Sequence, residues 1–455
     1  MGSWDTSSKW QPTALGELIS LRKGVSYKGE FLDKPGPRLL GLGTVVPGGG
    51  LKLDEARTYS GPIREDQRIM SGELLVALTD ITQEGKVLGS PGLVPRTENG
   101  GFAVTHHVAR VQIKVPTRLD TRFLYYLLRG QEFKDYVRGV SMGTTVRAVS
   151  IDDVEAFEAA IPPLPEQRAI ARVLGSLDDK IELNRRMNQT LEDICRALFK
   201  FWFVDFGPVR AKKEGRWKKG ESLPGMPADM WDLWPSEFEE SEIGEIPKEW
   251  EIRPLGEIAS FTRGISYRGE DLAESDTALV NLKCAGRGGA YREDGLKAYR
   301  GPFKEEQVVE PGDVVVSHTD VTQRAEVIGR AYVVRPSSRF VRLVASLDMA
   351  IVRPTSGGQT REYFAYALSE ERFRDHAYGY TNGTTVLHLS SQALTDYPHL
   401  VPPAEVVRRF SEAVSPGHEL IADHSLETDT LTRTRDALLP RFLSGEIRVS
   451  QAGAP

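Results

Sequence analysis

The chain has 455 residues with a formal net charge of −6, 40% apolar and 27% charged, the balance of a water-soluble chain with room for about two to four domains. No apolar run approaches the roughly 18 residues that a membrane-spanning helix needs. The N-terminus lacks the basic start and apolar stretch of a secretory signal, and two cysteines are too few for a disulfide framework or a Cys-rich zinc site.

These features point to a reducing, cytoplasmic setting with no membrane contact. Met1-Gly2 with Thr6 formally fits the loose myristoylation pattern, but no polybasic stretch supports it. The acidic total alone argues against a nucleic-acid partner. Phosphate contacts, however, need only one basic face.

From Thr13 to Ile161 the chain is strand-rich, with Gly and Pro punctuation. Glu73–Leu78 reads as a buried strand and Val108–Val115 alternates like one, whereas Phe123–Leu128 opens a helix. His106-His107 is the only tight histidine pair. Neighbours on a strand point to opposite faces, so ordinary strand or loop histidines are expected there and not a shared metal.

After the breaker Pro162-Pro163-Leu164-Pro165 comes a long helical pattern. Ile170, Leu174, Leu177, Ile181, Asn184, Asn188, Leu191, Cys195 and Leu198 step alternately by four and three, which is a coiled-coil seam. The two Asn cost stability and fix register. About 40 helical residues span roughly 60 Å, and a seam of that length needs a partner.

Phe206 to Trp250 reads as an ordered but irregular crossover. It opens basic (Arg210, Lys212, Lys213, Arg216, Lys218, Lys219) and turns acidic after Asp229, while Trp231, Trp234 and Phe238 need somewhere to pack.

Beyond it the chain repeats itself at an offset of 240 residues. Gly24–Glu30 returns as Gly264–Glu270, Thr79–Gln83 as Thr319–Gln323, and Gly143–Val146 as Gly383–Val386. Asp313–Ser317 is again a buried strand and Tyr363–Leu368 again opens a helix. The copies slip by a couple of residues near His107 and Asp348. The second helix carries Phe410, Val414, Ile421, His424, Leu431, Leu438 and Phe442 in the same heptad frame. A kink or break is expected at Ser415-Pro416-Gly417. The first helix is its natural partner; the alternative is that each helix packs on its own domain.

Signs of catalysis are weak. There is no Walker loop, Gly41-Leu42-Gly43 lacks the third glycine of a dinucleotide fingerprint, and no nucleophile elbow appears. Asp80 with Glu84-Gly85-Lys86 resembles a metal-dependent nuclease pattern, but Asp320 with Arg324-Ala325-Glu326 destroys it in the second copy. Pro162-Pro163 and Pro402-Pro403 lack the Asn-Pro-Pro-Tyr form of an amino-methyltransferase.

What both copies share is polar and basic loop chemistry. Arg22, Lys23, Tyr27 and Lys28 correspond to Thr262, Arg263, Tyr267 and Arg268. Thr79, Thr82, Gln83 and Lys86 correspond to Thr319, Thr322, Gln323 and Glu326. Thr144, Thr145 and Arg147 correspond to Thr384, Thr385 and Leu387. Hydroxyls, amides and cations suit phosphates, and Gln, Arg and Lys also read base edges. Gly143 and Gly383 would let backbone N–H groups approach a phosphate; the same Gly-Thr-Thr loops could equally be structural turns with hydroxyl caps. The expected DNA-binding set comprises these residues other than Arg22, Thr262, Glu326 and Leu387, together with Arg324. Gln83–Lys86 against Gln323–Glu326 is where two different sequences could be told apart.

Four stretches together resemble the specificity subunit of type I restriction-modification systems. They are Pro165-Glu166-Gln167-Arg168-Ala169-Ile170, Ala197–Phe206, Gly244–Glu257, and Leu438–Arg441 with Leu443–Ile447. The resemblance covers nearly the whole chain. It implies two target-recognition domains, each reading one half of a bipartite, asymmetric sequence in double-stranded DNA, with the paired helices as a ruler for the spacer. It also implies a non-catalytic chain without a cofactor of its own. Two modification subunits would carry S-adenosylmethionine and methylate adenine, and restriction subunits would join with ATP and Mg2+. The second helix departs from the pattern, because Val401-Pro402-Pro403-Ala404-Glu405 lacks the Pro-Glu-Gln entry.

The expected fold is α+β: two tandem α/β recognition domains, each followed by a long helix, the helices pairing as an antiparallel coiled coil. Its expected parts are domain 1 (1–163), first helix (164–206), crossover (207–250), domain 2 (251–403), second helix (404–445) and tail (446–455). Two other readings compete with DNA recognition. A fused methyltransferase or nuclease would need a catalytic domain for which no stretch is spare. A protein-assembly scaffold has the acidic charge and the crossover as its support.

Overall fold

The computed structural model describes residues 10–81, 85–95, 101–143, 146–321, 325–355, 358–383 and 386–449. The chain divides into two compact units, residues 1–180 with 431–455, and residues 181–430.

The first unit is built from β1 (Ile19–Lys23), β2 (Leu74–Ala77), β3 (Thr79–Asp80), β4 (Pro91–Leu93), β5 (Val108–Ile113), α1 (Thr121–Arg129), β6 (Arg147–Ala148) and the start of α2 (Leu164–Phe199). Its main sheet is antiparallel in the order β1-β5-β2-β4. Strand β2 is buried throughout, as its unbroken apolar run requires. The Asp120 carboxylate accepts the Phe123 N–H at 3.0 Å and starts α1. That helix buries Phe123, Leu124, Leu127 and Leu128 in the core. Directly after β2 the chain leaves the sheet, and β3 pairs with β6 as a two-stranded ribbon with Asp80 opposite Arg147.

The second unit repeats this plan with β7 (Ala259–Arg263), β8 (Val314–Ser317), β9 (Thr319–Asp320), β10 (Ala331–Val333), β11 (Met349–Pro354), α3 (Arg361–Ala367) and β12 (Leu387–Leu389). Its sheet runs β7-β11-β8-β10, and β9 pairs with β12. The expected strands at 73–78, 108–115 and 313–317 and the helices opening at 123 and 363 are therefore all present, within the usual end fraying.

Both long helices form, α2 and α4 (Ala404–Leu443). In the first unit Ile170 and Leu174 are fully buried, and Leu177, Leu431 and Leu438 half-buried. Gln167 is also fully buried. Its amide oxygen accepts the Asp120 N–H at 2.8 Å, and its nitrogen donates to the Arg118 and Pro162 carbonyls at 2.7 and 2.8 Å. This is the physical content of the Pro-Glu-Gln entry: one amide stitches the helix start to its domain. In the second unit Val407 occupies the corresponding position, and Thr360 instead meets Ser411 at 2.7 Å.

Within the second unit the helices run antiparallel. Ile181, Asn184, Phe410, Val414 and Ile421 are buried in the seam, and Asn188, Leu191 and Leu198 half-buried. Asn184 donates to the Glu427 carboxylate at 2.7 Å, and Asn188 meets His424 at 2.9 Å. The expected break at Ser415-Pro416-Gly417 is absent, since α4 is unbroken. A side chain at Gly417 would stand 3.1 Å from the Cys195 sulfur. The glycine thus permits a close helix crossing, and packing there outweighs the hydrogen bond that Pro416 forfeits.

The crossover is also more regular than expected. It holds a helix at Gly207–Lys213 and a hairpin pairing Phe238–Ser241 with Gly244–Pro247. Trp234 is buried against Trp202 and Trp250, and Trp231 meets Trp217 edge-on under the Lys212 ammonium.

Candidate nucleic-acid interface

The described ribbon strands carry three of the candidate residues, Thr79 and Arg147 in the first unit and Thr319 in the second. In the first unit the exposed Tyr27 ring lies 6.3 Å from that of His106, which is 3.8 Å from that of His107. The Nδ1 of His107 is 2.9 Å from the Thr79 hydroxyl at the ribbon base. Arg147 continues the strip opposite Asp80, its side chain running against Gly85. Tyr27, Thr79 and Arg147 are thereby brought together. Lys23 ends β1, while Lys28 and Lys86 are exposed on loops. Burial, reinforced by His106, lowers the His107 pKa and favours a neutral ring that can donate or accept.

The second unit builds the same base with other residues. Thr319 donates to the Asp348 carboxylate at 2.7 Å. The Arg263 guanidinium lies 3.5 Å from His318 Nδ1, and burial, then the Arg263 charge, pushes that imidazole down to about 4. Lys297 sits 3.5 Å from the Tyr267 hydroxyl. Arg268 is exposed, 3.4 Å from Glu270. Thr82, Gln83, Thr144, Thr145, Thr322, Gln323, Arg324, Thr384 and Thr385 lie outside the described residues.

Asp80 and Asp320 are internal anchors. Asp80 is buried and accepts the Val87 N–H at 2.5 Å; Asp320 accepts those of Val327 and Ile328 at 2.8 and 3.1 Å. These bonds tie down the far end of the loop after each ribbon strand and turn the carboxylates inward. Among the described residues no group of three His, Cys, Asp or Glu side chains is placed to hold a metal ion. No described helix is long and apolar enough to cross a membrane.

His106, His107, His318, Asp348 and Lys297 were not among the sequence candidates. The signal was the slip between the copies. The threonine reaches its partner 28 residues on in the first unit and 29 in the second, so His107 and Asp348 occupy the same place.

Residues 7–193 match the family described as type I restriction modification DNA specificity domain. The chain is 25% identical over 339 residues to the type I restriction enzyme MjaIX specificity subunit of Methanocaldococcus jannaschii, covering 73% of this chain and 70% of that one. It is 23% identical to the HindI specificity subunit of Haemophilus influenzae, over 97% of this chain and all of the relative. The fold is also that of the crystallised type I restriction-modification S subunit from M. genitalium, with a TM-score of 0.56 at 16% identity over 97% of both chains. Residues 7–193 thus form a type I restriction modification DNA specificity domain, and over nearly its whole length the chain is similar to the specificity subunits of type I restriction enzymes.

Proposed function

We propose that the chain reads a split DNA target, each recognition domain contacting one half and the antiparallel helices setting the gap. The observation that carries this reading is the duplicated ribbon: β3–β6 and β9–β12 rise from the same sheet position and are anchored by the same buried aspartate. Lys23, Tyr27, Lys28, Thr79, Lys86 and Arg147 face the first half-site, with Thr82, Gln83, Thr144 and Thr145. Arg263, Tyr267 and Arg268 face the second, with Thr322, Gln323, Arg324, Thr384 and Thr385; Thr319, also expected at that surface, is buried with its hydroxyl on Asp348 and supports the ribbon instead. Readers held on one face of B-DNA sit about one turn, roughly 34 Å, apart, and α2, at 36 residues, spans about 54 Å by helical rise.

The chain works in the cytoplasm beside two modification subunits that bring S-adenosylmethionine and methylate adenine. Restriction subunits bring ATP and Mg2+. The test is to co-express it with the neighbouring modification subunit and map methylated adenines across a genome. A two-part motif with a fixed gap is the expected result. A stable complex that methylates nothing, or an unsplit motif, would overturn the reading.

A further inference from the structure

We infer that each ribbon carries a pair of aliphatic side chains that make a dry contact with the apolar surface of DNA bases. The pairs are Ile81 with Val146 and Val321 with Val386. The inference rests on the DNA-reading function above and assigns a recognition role to residues that are neither polar nor charged.

The register places the pairs. Asp80 lies opposite Arg147, so one step further along the ribbon Ile81 faces Val146; Asp320 lies opposite Leu387, so Val321 faces Val386. All four side chains are open to solvent, at 71% and 45% in the first unit and 67% and 36% in the second. Single exposed aliphatics need no explanation. A cross-strand pair that returns at the same place in two copies does. Mutual contact across a ribbon is only weakly stabilising and leaves most of these side chains wet.

The backbone behind each pair is also closely packed. Gly143 and Gly383 take left-handed φ values of 99° and 114°, and a side chain on either would strike the Val146 or Val386 carbonyl oxygen at 2.1 Å. Each glycine thus lies close against its valine's carbonyl. The buried Asp80 and Asp320, with Thr79 and Thr319 tied to His107 and Asp348, hold the opposite strand. An apolar prong next to Arg147 in one copy, and on a ribbon whose base carries Arg263 against His318 in the other, suits a ligand with a charged edge and an apolar interior.

DNA offers apolar surface in two places: the thymine 5-methyl group in the major groove, and the base faces once a step is opened. Either would take the prong. The first unit adds the exposed Met142 where the second has Asn382, so the first half-site depends on apolar contact more strongly.

The experiment uses the full chain assembled with its modification subunits and a duplex carrying the mapped motif. Ile81→Ser is compared with Ile81→Thr and Val321→Ser with Val321→Thr, the threonines keeping the β-branch of each ribbon, and folding is checked by thermal melting. Each Ser variant is expected to lose at least about tenfold in affinity, the scale for removing a few buried carbons, and only through its own half-site. The salt dependence should stay unchanged because no phosphate contact is lost.

Two probes separate the sources. If the methyl is the contact, replacing thymine by uracil in that half-site weakens the parent and leaves the Ser variant unaffected. If a base face is the contact, uracil is silent, and the parent's 2-aminopurine fluorescence increase is lost in the variant. Ser variants that fold, bind and methylate like the parent would overturn the inference. So would a loss of affinity with both probes silent. If the parent itself shows no split motif, it is the DNA-reading function that has failed.

Discussion

Arg129 and Asp178 form a 2.7 Å ion pair in the first unit, and the other oxygen of Asp178 takes a 2.7 Å hydrogen bond from Arg435. The Tyr126 hydroxyl donates to the same carboxylate at 2.7 Å, and the Arg129 Nε reaches the Gly48 carbonyl at 3.2 Å. One carboxylate thereby joins α1, α2 and α4. At the 240-residue offset the second unit has Ser369 for Arg129 and His418 for Asp178, and the surviving contact is Tyr366 to His418 at 2.6 Å. One junction centres on a carboxylate and the other on an imidazole.

Asp178→Asn should therefore cost about 2–3 kcal/mol, toward the lower end for breaking a buried pair because the site is partly exposed. Burial alone would raise the Asp178 pKa; Arg129, Arg435 and Tyr126 outweigh it and hold the carboxyl below its usual range. That contribution is present above the unfolded carboxyl pKa, 3.8, and is lost as pH falls through the lower folded value. Denaturant melts of parent and variant at pH 7 and pH 3 check this: the difference should shrink in acid, and an equal difference at both would contradict it.

The second unit should fail earlier in acid. His399 is buried among Tyr363, Phe364 and Tyr397, and burial, then Arg372, pushes its imidazole down to about 3. Below the unfolded value of 6.5 the unfolded chain takes up a proton that the fold refuses. Stability then falls by about 1.4 kcal/mol per pH unit between the two values. Hydrogen exchange at pH 5 should be faster around Tyr363 than around Asp178, and His399→Leu should flatten the dependence. An unchanged slope in that variant would assign the acid sensitivity elsewhere.

Asn184→Leu should leave melting unchanged or raised, because a fully buried amide with one unpartnered oxygen gives way to a hydrocarbon. The cost is register. The Asn184–Glu427 bond allows one alignment of the helices where an apolar layer tolerates several. Methylation of targets with spacers one base pair longer and shorter should broaden. An undiminished preference for one spacer would show that the domains set the gap without this layer.

Lys28→Glu and Arg268→Glu should each weaken DNA binding through one half-site and reduce the salt slope by about one unit per lost phosphate contact. Titrations on duplexes with either half scrambled check the assignment. Equal affinity of variants and parent across salt would remove both residues from the interface.

Elements whose signal is local or repeated were legible from the sequence: the apolar runs of β2 and β8, the heptad seam and the duplication. The seam survived Pro416 because a helix end is decided by packing as well as by propensity, and Cys195 against Gly417 is a contact between positions 222 residues apart (417 − 195). The anchoring role of Asp80 and Asp320 was not legible because sequence shows residue type and not direction; the structure turns both carboxylates inward. The Arg129–Asp178–Arg435 cluster was invisible for a similar reason, its members being brought together only by folding. The basic loop residues were visible as a set, but the histidines under them were not, since the two copies use different side chains for one task.

The buried aspartates have an evolutionary consequence. Each ribbon is secured from within by Asp80 or Asp320, neither of which needs to touch the ligand. Substitutions further out therefore meet little structural resistance. Such a ribbon is a fixed handle with an exchangeable bit, and new sequence preferences can arise by point mutation in one copy while the other keeps its own.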